Sequence, residues 1–130
     1  MTPTLGRVLI ADDEPSLLKM MTAYLRRLGY AVAAVQTSAE AWAAMEADPG
    51  GFVCAVLDAT MSGMPLEELG RKMIGASPSL RILVASGFPV DVTALENAAP
   101  NRVAFLHKPF TPEMLANTVR RLLAPQDEAV

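Results

Sequence analysis

Residues 7–15 read Arg-Val-Leu-Ile-Ala-Asp-Asp-Glu-Pro, so an apolar run of four residues is followed at once by three acidic residues and a proline. A short uninterrupted apolar run is typical of a strand buried on both faces of a sheet. Pro15 suits the first turn of a helix, because its missing N–H would have no partner there. The stretch therefore predicts a buried strand, Arg7 to Ala11, that leads through Asp12 and Asp13 into a helix.

The alternation of apolar strand and helical segment continues outward from this stretch and occurs five times in all. The predicted strands run from Arg7 to Ala11, Tyr30 to Val35, Phe52 to Leu57, Leu80 to Ala85 and Arg102 to Leu106. The predicted helices run from about Pro15 to Leu28, Thr37 to Ala47, Leu66 to Ile74 and Asp91 to Ala98, and from Pro112 onward. Five such repeats predict an α/β domain whose parallel, doubly wound sheet is covered by helices on both faces.

Local signals predict several helix faces and ends. The core face of the first helix is predicted from residues spaced three or four apart: Leu17, Met21, Leu25 and Leu28. Thr37 and Glu40 form a capping-box pattern at the start of the second helix. Gly75, followed by Pro78, is expected to end the third helix, and residues from Gln126 to Val130 are expected to form a frayed tail.

Composition limits the class of protein. The 130 residues predict one domain, residues 1–130, with a core from about residue 7 to residue 123. Acidic residues outnumber basic ones by 14 to 11 and the basic residues are scattered, which argues against direct binding to nucleic acid. No apolar run is long enough to cross a bilayer, and Asp12 and Asp13 interrupt any signal peptide, so we expect a cytoplasmic protein without membrane insertion. The single cysteine, Cys54, excludes an internal disulfide and lies in a predicted core strand.

Polar side chains follow four of the five predicted strands. Asp12 and Asp13 follow the first strand, Asp58 the third, Ser86 the fourth and Lys108 comes just after the fifth. In an open parallel sheet, ligands bind beyond the carboxyl ends of the strands. We therefore expect three carboxylates, one hydroxyl and one ammonium group to meet at one edge of the sheet.

These groups predict a particular chemistry. Three neighbouring carboxylates repel one another and stay ionised only beside a cation, and their hard oxygen ligands suit Mg²⁺. The sequence has no Cys/His cluster, so zinc is not expected. A carboxylate beside Mg²⁺ can attack phosphorus to form an aspartyl phosphate, while a lysine and a hydroxyl hold the phosphoryl oxygens.

Four sequence fragments carry a family resemblance. They are Val8-Leu9-Ile10-Ala11-Asp12-Asp13-Glu14-Pro15, Val56-Leu57-Asp58, Val84-Ala85-Ser86-Gly87-Phe88 and Phe105-Leu106-His107-Lys108-Pro109-Phe110. With these fragments in this order and spacing, the chain resembles the receiver domains of bacterial two-component response regulators. The sequences of the last two fragments are most similar to those of receivers attached to hybrid histidine kinases. The resemblance implies a flavodoxin-like sheet of five parallel strands, order 2-1-3-4-5, with five helices.

The resemblance also implies roles for individual residues. Asp58 would be the phosphoacceptor, with Ser86 and Lys108 binding the phosphoryl group. Mg²⁺ would be bound by a set of four groups, namely the side chains of Asp12, Asp13 and Asp58 and the backbone carbonyl of Thr60. Ser86 and Phe105 would form the switch, and the Lys108–Pro109 bond would be cis.

The partners follow from the same resemblance. A histidine kinase or a histidine phosphotransfer domain would donate the phosphoryl group, and a downstream partner would bind the fourth helix, fifth strand and fifth helix. Thr60 and Phe88 stand where family members flank the attacking water, and neither is an acid or base, so we expect slow loss of the phosphate. Phe88 could also cover the phosphoryl group with its ring.

Two alternatives stay open from the sequence. A pseudo-receiver would have the same fold and act only by binding, without being phosphorylated. A phosphohydrolase of the haloacid dehalogenase type also forms an aspartyl phosphate, but it requires an acidic residue two positions after the nucleophile, where this chain has Thr60. The chain departs from the usual receiver pattern in two places: Met61 is followed by Ser62 and Gly63 where the family often has Met-Pro-Gly, and Leu66 replaces a glycine usual at the start of the third helix.

Overall fold

The computed structural model describes residues 5–124, so the predicted tail from Gln126 to Val130 lies outside the described residues. The strands are β1 (Arg7–Ala11), β2 (Ala31–Val35), β3 (Cys54–Asp58), β4 (Arg81–Ser86) and β5 (Val103–His107). The helices are α1 (Pro15–Arg27), α2 (Ser38–Ala47), α3 (Leu66–Ala76), α4 (Thr93–Ala98) and α5 (Pro112–Leu123). None of these helices is long and apolar enough to pass through a bilayer.

The five strands form one sheet in the order β2-β1-β3-β4-β5, with every neighbouring pair parallel. This confirms the predicted fold and strand order. In the register of the sheet, Asp58 lies opposite Ala85 and Ser86 lies opposite His107. Parallel pairing thus brings the carboxyl ends of β1, β3, β4 and β5 to the same edge.

The apolar core lies in two layers, one on each side of the sheet. Alternate residues of β1 point to opposite faces, as the pleat of a strand requires. Leu9 and Ala11 pack with the layer under α2, α3 and α4, whereas Val8 and Ile10 pack with the layer under α1 and α5. Burying a large aliphatic side chain contributes about 1.5–3 kcal/mol relative to leaving it exposed. The two layers therefore hold the strand ends, and the polar residues on them, in a rigid frame.

The structure corrects two predictions about helices. Leu28 does not face the core: it lies just beyond α1 and is 38% exposed, and Leu18 joins Met21 and Leu25 in the core instead. Gly75 does not end α3, which continues to Ala76. The helix ends at the next residue, because Pro78 sterically disfavours helical backbone in the residue before it. That residue, Ser77, has φ −141° and ψ 88°.

The predicted cap of α2 is confirmed, with one difference in its partner. The Glu40 N–H donates to the Thr37 hydroxyl at 3.0 Å. The Glu40 carboxylate accepts from the backbone N–H of Gln36 at 2.9 Å, one residue before the cap itself. Both bonds satisfy donors at the helix start, where the backbone has no partners of its own.

Candidate functional site

Three carboxylates meet at the carboxyl edge of the sheet. Asp12, Asp13 and Asp58 each place one oxygen within 4.8 Å of the other two. Asp12 and Asp58 are almost completely buried, at 1% and 3% exposure, whereas Asp13 is exposed. The cluster is therefore a pocket with a buried floor that opens to solvent on the side of Asp13.

The backbone fixes the two buried carboxylates. Asp58 is the last residue of β3, and the next residue, Ala59, still donates its N–H to the Ala85 carbonyl of β4 at 2.9 Å. Asp12 donates its N–H to the Val35 carbonyl of β2 at 3.1 Å. Both residues are thus held by the strands next to their own, and their side chains start from ordered backbone.

Lys108 supplies the positive charge of the site. Its Nζ lies 3.0 Å from Oδ2 of Asp12 and 3.4 Å from Oδ1 of Asp58. The Lys108–Pro109 peptide bond is cis, as predicted. Partial burial acts to lower the pKa of the Lys108 ammonium, but the hydrogen bond and charge of Asp12 and the charge of Asp58 outweigh it, so that pKa is raised. Lys108 is therefore fully protonated at neutral pH.

One ammonium group does not balance three carboxylates. The pKa of the Asp13 carboxyl is raised, first by partial desolvation and then by the neighbouring charges of Asp58 and Asp12. Three negative charges against one positive charge leave an excess of two at the pocket. Oxygen ligands with this excess charge and an open side fit a divalent cation such as Mg²⁺, which binds a few carboxylates and keeps several waters.

Asp58 is also bonded to the loop that follows it. Its Oδ1 accepts hydrogen bonds from the Thr60 N–H at 3.1 Å and from the Thr60 hydroxyl at 3.0 Å. Thr60 itself is exposed at the pocket rim. These two bonds hold the first turn of the β3–α3 loop, residues 59–65, against the Asp58 carboxylate.

Ser86 lies at the same edge but is not bonded to the carboxylates. It is fully buried, and its hydroxyl oxygen accepts the backbone N–H of Phe88 at 3.0 Å. Its carbonyl accepts the Lys108 N–H at 2.9 Å. Within residues 5–124 no hydrogen bond joins the Ser86 hydroxyl to Asp58 or Lys108. Because the hydroxyl only accepts, its proton is still available for donation to a ligand.

The two aromatic residues singled out by the sequence both face outward. Phe105 of β5 is 37% exposed. Its ring packs edge-on against the His107 ring, with 6.4 Å between the two ring centroids. It lines a groove of about 500 Å³ between β5 and α5, together with Met114 and Arg121. Phe88 is 67% exposed and is not packed into the core, so its role as a cover for the phosphoryl group stays a prediction.

Comparison with known proteins identifies the family. Residues 8–120 match the family model described as the response regulator receiver domain. The chain belongs to the receiver domain family. This receiver domain is similar to the C4-dicarboxylate transport transcriptional regulatory protein DctD of Rhizobium meliloti, with 32% identity over 88% of this chain and 24% of that protein. It is also similar to the sensor kinase CckA of Brucella abortus, with 31% identity over 92% of this chain and 13% of that protein.

Solved structures agree with this assignment. A response regulator receiver domain protein from Methanospirillum hungatei has a TM-score of 0.81 and 26% identity, over 92% of this chain and 94% of that one. The present chain spans about a quarter or less of the length of DctD and of the sensor kinase CckA.

Sequence reasoning did not identify one residue next to the site, Ser38. It is the first residue of α2 and is buried at 2% exposure, yet its hydroxyl bonds to the backbone of the β3–α3 loop 24 and 26 residues away. The only local signal is a second hydroxyl directly after the capping Thr37. That signal does not indicate a contact with a distant loop.

Proposed function

We propose that this receiver domain accepts a phosphoryl group on Asp58 from a histidine kinase or a histidine phosphotransfer domain. Mg²⁺ would be held by Asp12, Asp13, Asp58 and the backbone carbonyl of Thr60. The observation that supports this most strongly is the cluster of three carboxylates with Lys108 reaching two of them. A purely structural site would gain nothing from placing three mutually repelling charges together.

The contacts favour Asp58 over Asp12 as the nucleophile. Both oxygens of Asp12 have partners, because Oδ1 accepts the Glu14 N–H at 2.9 Å and Oδ2 pairs with Lys108 at 3.0 Å. Thr60 and Lys108, by contrast, both contact the same oxygen of Asp58, Oδ1. These contacts orient the Asp58 carboxylate at the end of its strand, whereas both oxygens of Asp12 are already bonded to Glu14 and Lys108.

In the proposed reaction, an Asp58 oxygen attacks the phosphorus of a phosphohistidine. A P–O bond forms, the P–N bond breaks, and its electron pair goes to the imidazole nitrogen of the donor. Lys108 would attract the phosphoryl oxygens and Ser86 would donate its free hydroxyl proton to one of them. Bound Mg²⁺ would neutralise the negative charge shared by the carboxylates and the phosphoryl group.

Labelling by acetyl phosphate tests this proposal. The unsubstituted chain should be labelled in Mg²⁺ and not in excess chelator, and Asp58→Asn should not be labelled. Asp48→Asn is a matched control, since that exposed carboxylate lies at the end of α2. Labelling of Asp58→Asn would assign the acceptor to another residue. An unsubstituted chain that takes no label in Mg²⁺ would instead support the pseudo-receiver alternative.

We further propose that the output surface is α4, β5 and α5, read through Ser86 and Phe105. Phosphate would draw the Ser86 hydroxyl toward it, and the outward Phe105 ring would move into the space left behind, shifting the population between two states. The exposed ring and the groove beside it support a partner site there. Beryllofluoride, which mimics the phosphoryl group, should change amide chemical shifts along β5 and α5. Changes confined to the carboxylate pocket would contradict this coupling.

A further inference from the structure

Ser38 connects α2 to the loop that carries Thr60. The Ser38 hydroxyl accepts the backbone N–H of Met64 at 2.9 Å and donates to the backbone carbonyl of Ser62 at 3.2 Å. Its residue exposure is only 2%, so water does not readily replace either bond. One buried hydroxyl thus satisfies a donor and an acceptor on opposite sides of a single loop residue.

The loop residue between these two bonds is Gly63. Its φ is +98°, a backbone conformation that favours glycine. A Cβ added there would lie 2.6 Å from the Ser38 hydroxyl oxygen, which is too close for any real contact. The loop can therefore lie directly on Ser38 because position 63 has no side chain. Ser38 and Gly63 fit each other as a pair.

The loop has a second attachment of a different kind. At its start, Thr60 donates two hydrogen bonds to Oδ1 of Asp58. Under the proposed function that carboxylate binds the metal and forms a bond to phosphorus, so its hydrogen bonds change during the reaction. Ser38 contacts none of the reacting groups, and its bonds to Ser62 and Met64 can persist throughout.

We infer that Ser38 is a positioning residue, which holds the β3–α3 loop so that the Thr60 carbonyl stays where Mg²⁺ binds. This inference rests on the proposed function. Partners that hold a metal ligand in place typically change metal affinity by about 10–100-fold when removed. Ser38 acts on a backbone ligand two residues before the nearer of its bonds, so we expect an effect near the lower end of that range.

The experiment compares the unsubstituted chain with Ser38→Ala, Ser38→Thr and Ser77→Ala. Threonine keeps the hydroxyl, and Ser77 is a similarly buried serine beyond α3, at 4% exposure. Hydrogen exchange of the Met64 amide is measured without Mg²⁺, and Mg²⁺ affinity is then measured by calorimetric titration. The Ala59 amide, which is bonded to the Ala85 carbonyl, is the internal control for an intact sheet edge.

In Ser38→Ala we expect exchange of the Met64 amide to be about five- to tenfold faster, with Ala59 unchanged. Mg²⁺ binding should be about tenfold weaker. Ser38→Thr should restore both values, and Ser77→Ala should match the unsubstituted chain. Equal Mg²⁺ affinity in Ser38→Ala and the unsubstituted chain would overturn the role of Ser38 alone. Failure of the unsubstituted chain to bind Mg²⁺ would overturn the proposed function as well.

Discussion

Replacement of Asp13 by asparagine should stabilise the metal-free protein. Asp13 shares the pocket with Asp12 and Asp58, each with an oxygen within 4.8 Å. At that distance and in water-like surroundings, two like charges repel by about 0.9 kcal/mol. Two such pairs would give roughly twice this value, but Lys108 partly neutralises both neighbours and Asp13 is exposed. We therefore expect the free energy of unfolding of Asp13→Asn to rise by about 1 kcal/mol in chelator.

Urea unfolding, measured in chelator and in excess Mg²⁺, provides the assay. Binding to the native state alone stabilises the unsubstituted chain by about 1.4 kcal/mol when Mg²⁺ is at ten times its dissociation constant. Under the proposed function Asp13→Asn removes one of the Mg²⁺ ligands, so the same Mg²⁺ concentration should add little to its stability. The order of stability should therefore change with the metal. Asp13→Asn should have the higher free energy of unfolding in chelator, and it should lose that advantage over the unsubstituted chain in Mg²⁺.

Glu46→Gln is the charge-matched control. It removes one exposed carboxylate from the last turns of α2, away from the pocket, so it should leave the Mg²⁺ effect unchanged. If Asp13→Asn is less stable than the unsubstituted chain in chelator, repulsion is not the dominant force in the pocket. If Mg²⁺ stabilises both proteins equally, Asp13 is not a ligand.

Two further predictions concern the lifetime of the phosphate and the buried thiol. A double variant that combines Thr60→Asn with Phe88→Glu should shorten the lifetime of the Asp58 phosphate by about tenfold, because polar groups would then position the attacking water. The lifetime is measured by loss of label, and an unchanged lifetime would exclude Phe88 as a cover. Burial raises the pKa of the Cys54 thiol from 9.0 to about 12. Between pH 9 and about pH 12 the thiol is ionised in the unfolded chain but neutral in the folded one. The contribution of Cys54 to the free energy of unfolding is therefore fully present below about pH 9 and is lost as the pH rises toward 12. Urea unfolding from pH 8 to 11 should therefore show a smaller decline for Cys54→Ala than for the unsubstituted chain, and parallel declines would contradict the assignment.

The sequence predicted the fold and the charged site residues because both depend on simple patterns. Apolar runs locate buried strands to within one or two residues, as with β3, which was predicted from Phe52 to Leu57 and is found at Cys54–Asp58. Once the strands are parallel, the residues at their carboxyl ends must share an edge. Asp12, Asp58 and Lys108 could therefore be expected together before any distance was known.

The remaining features depend on contacts that no local pattern encodes. Ser38 bonds to a loop more than twenty residues away, and nothing in its neighbourhood distinguishes it from an ordinary first residue of a helix. Leu28 fits the spacing of a core face, but α1 ends one residue earlier and leaves it exposed. Gly75 was a reasonable helix end by composition, yet the steric effect of Pro78 on Ser77 decides the boundary.

The ion pair between Lys108 and Asp12 has a consequence for the order in which the protein becomes competent. It joins residues 96 positions apart, one just after the first strand and the other just after the last. Chains are synthesised from the amino terminus, so all three carboxylates emerge long before the lysine that neutralises them. A nascent or truncated chain that ends before β5 would carry an acidic edge without its ammonium group. Under the proposed function, phosphoryl transfer would therefore require synthesis to have passed β5, and a chain that ends earlier would not accept the phosphoryl group.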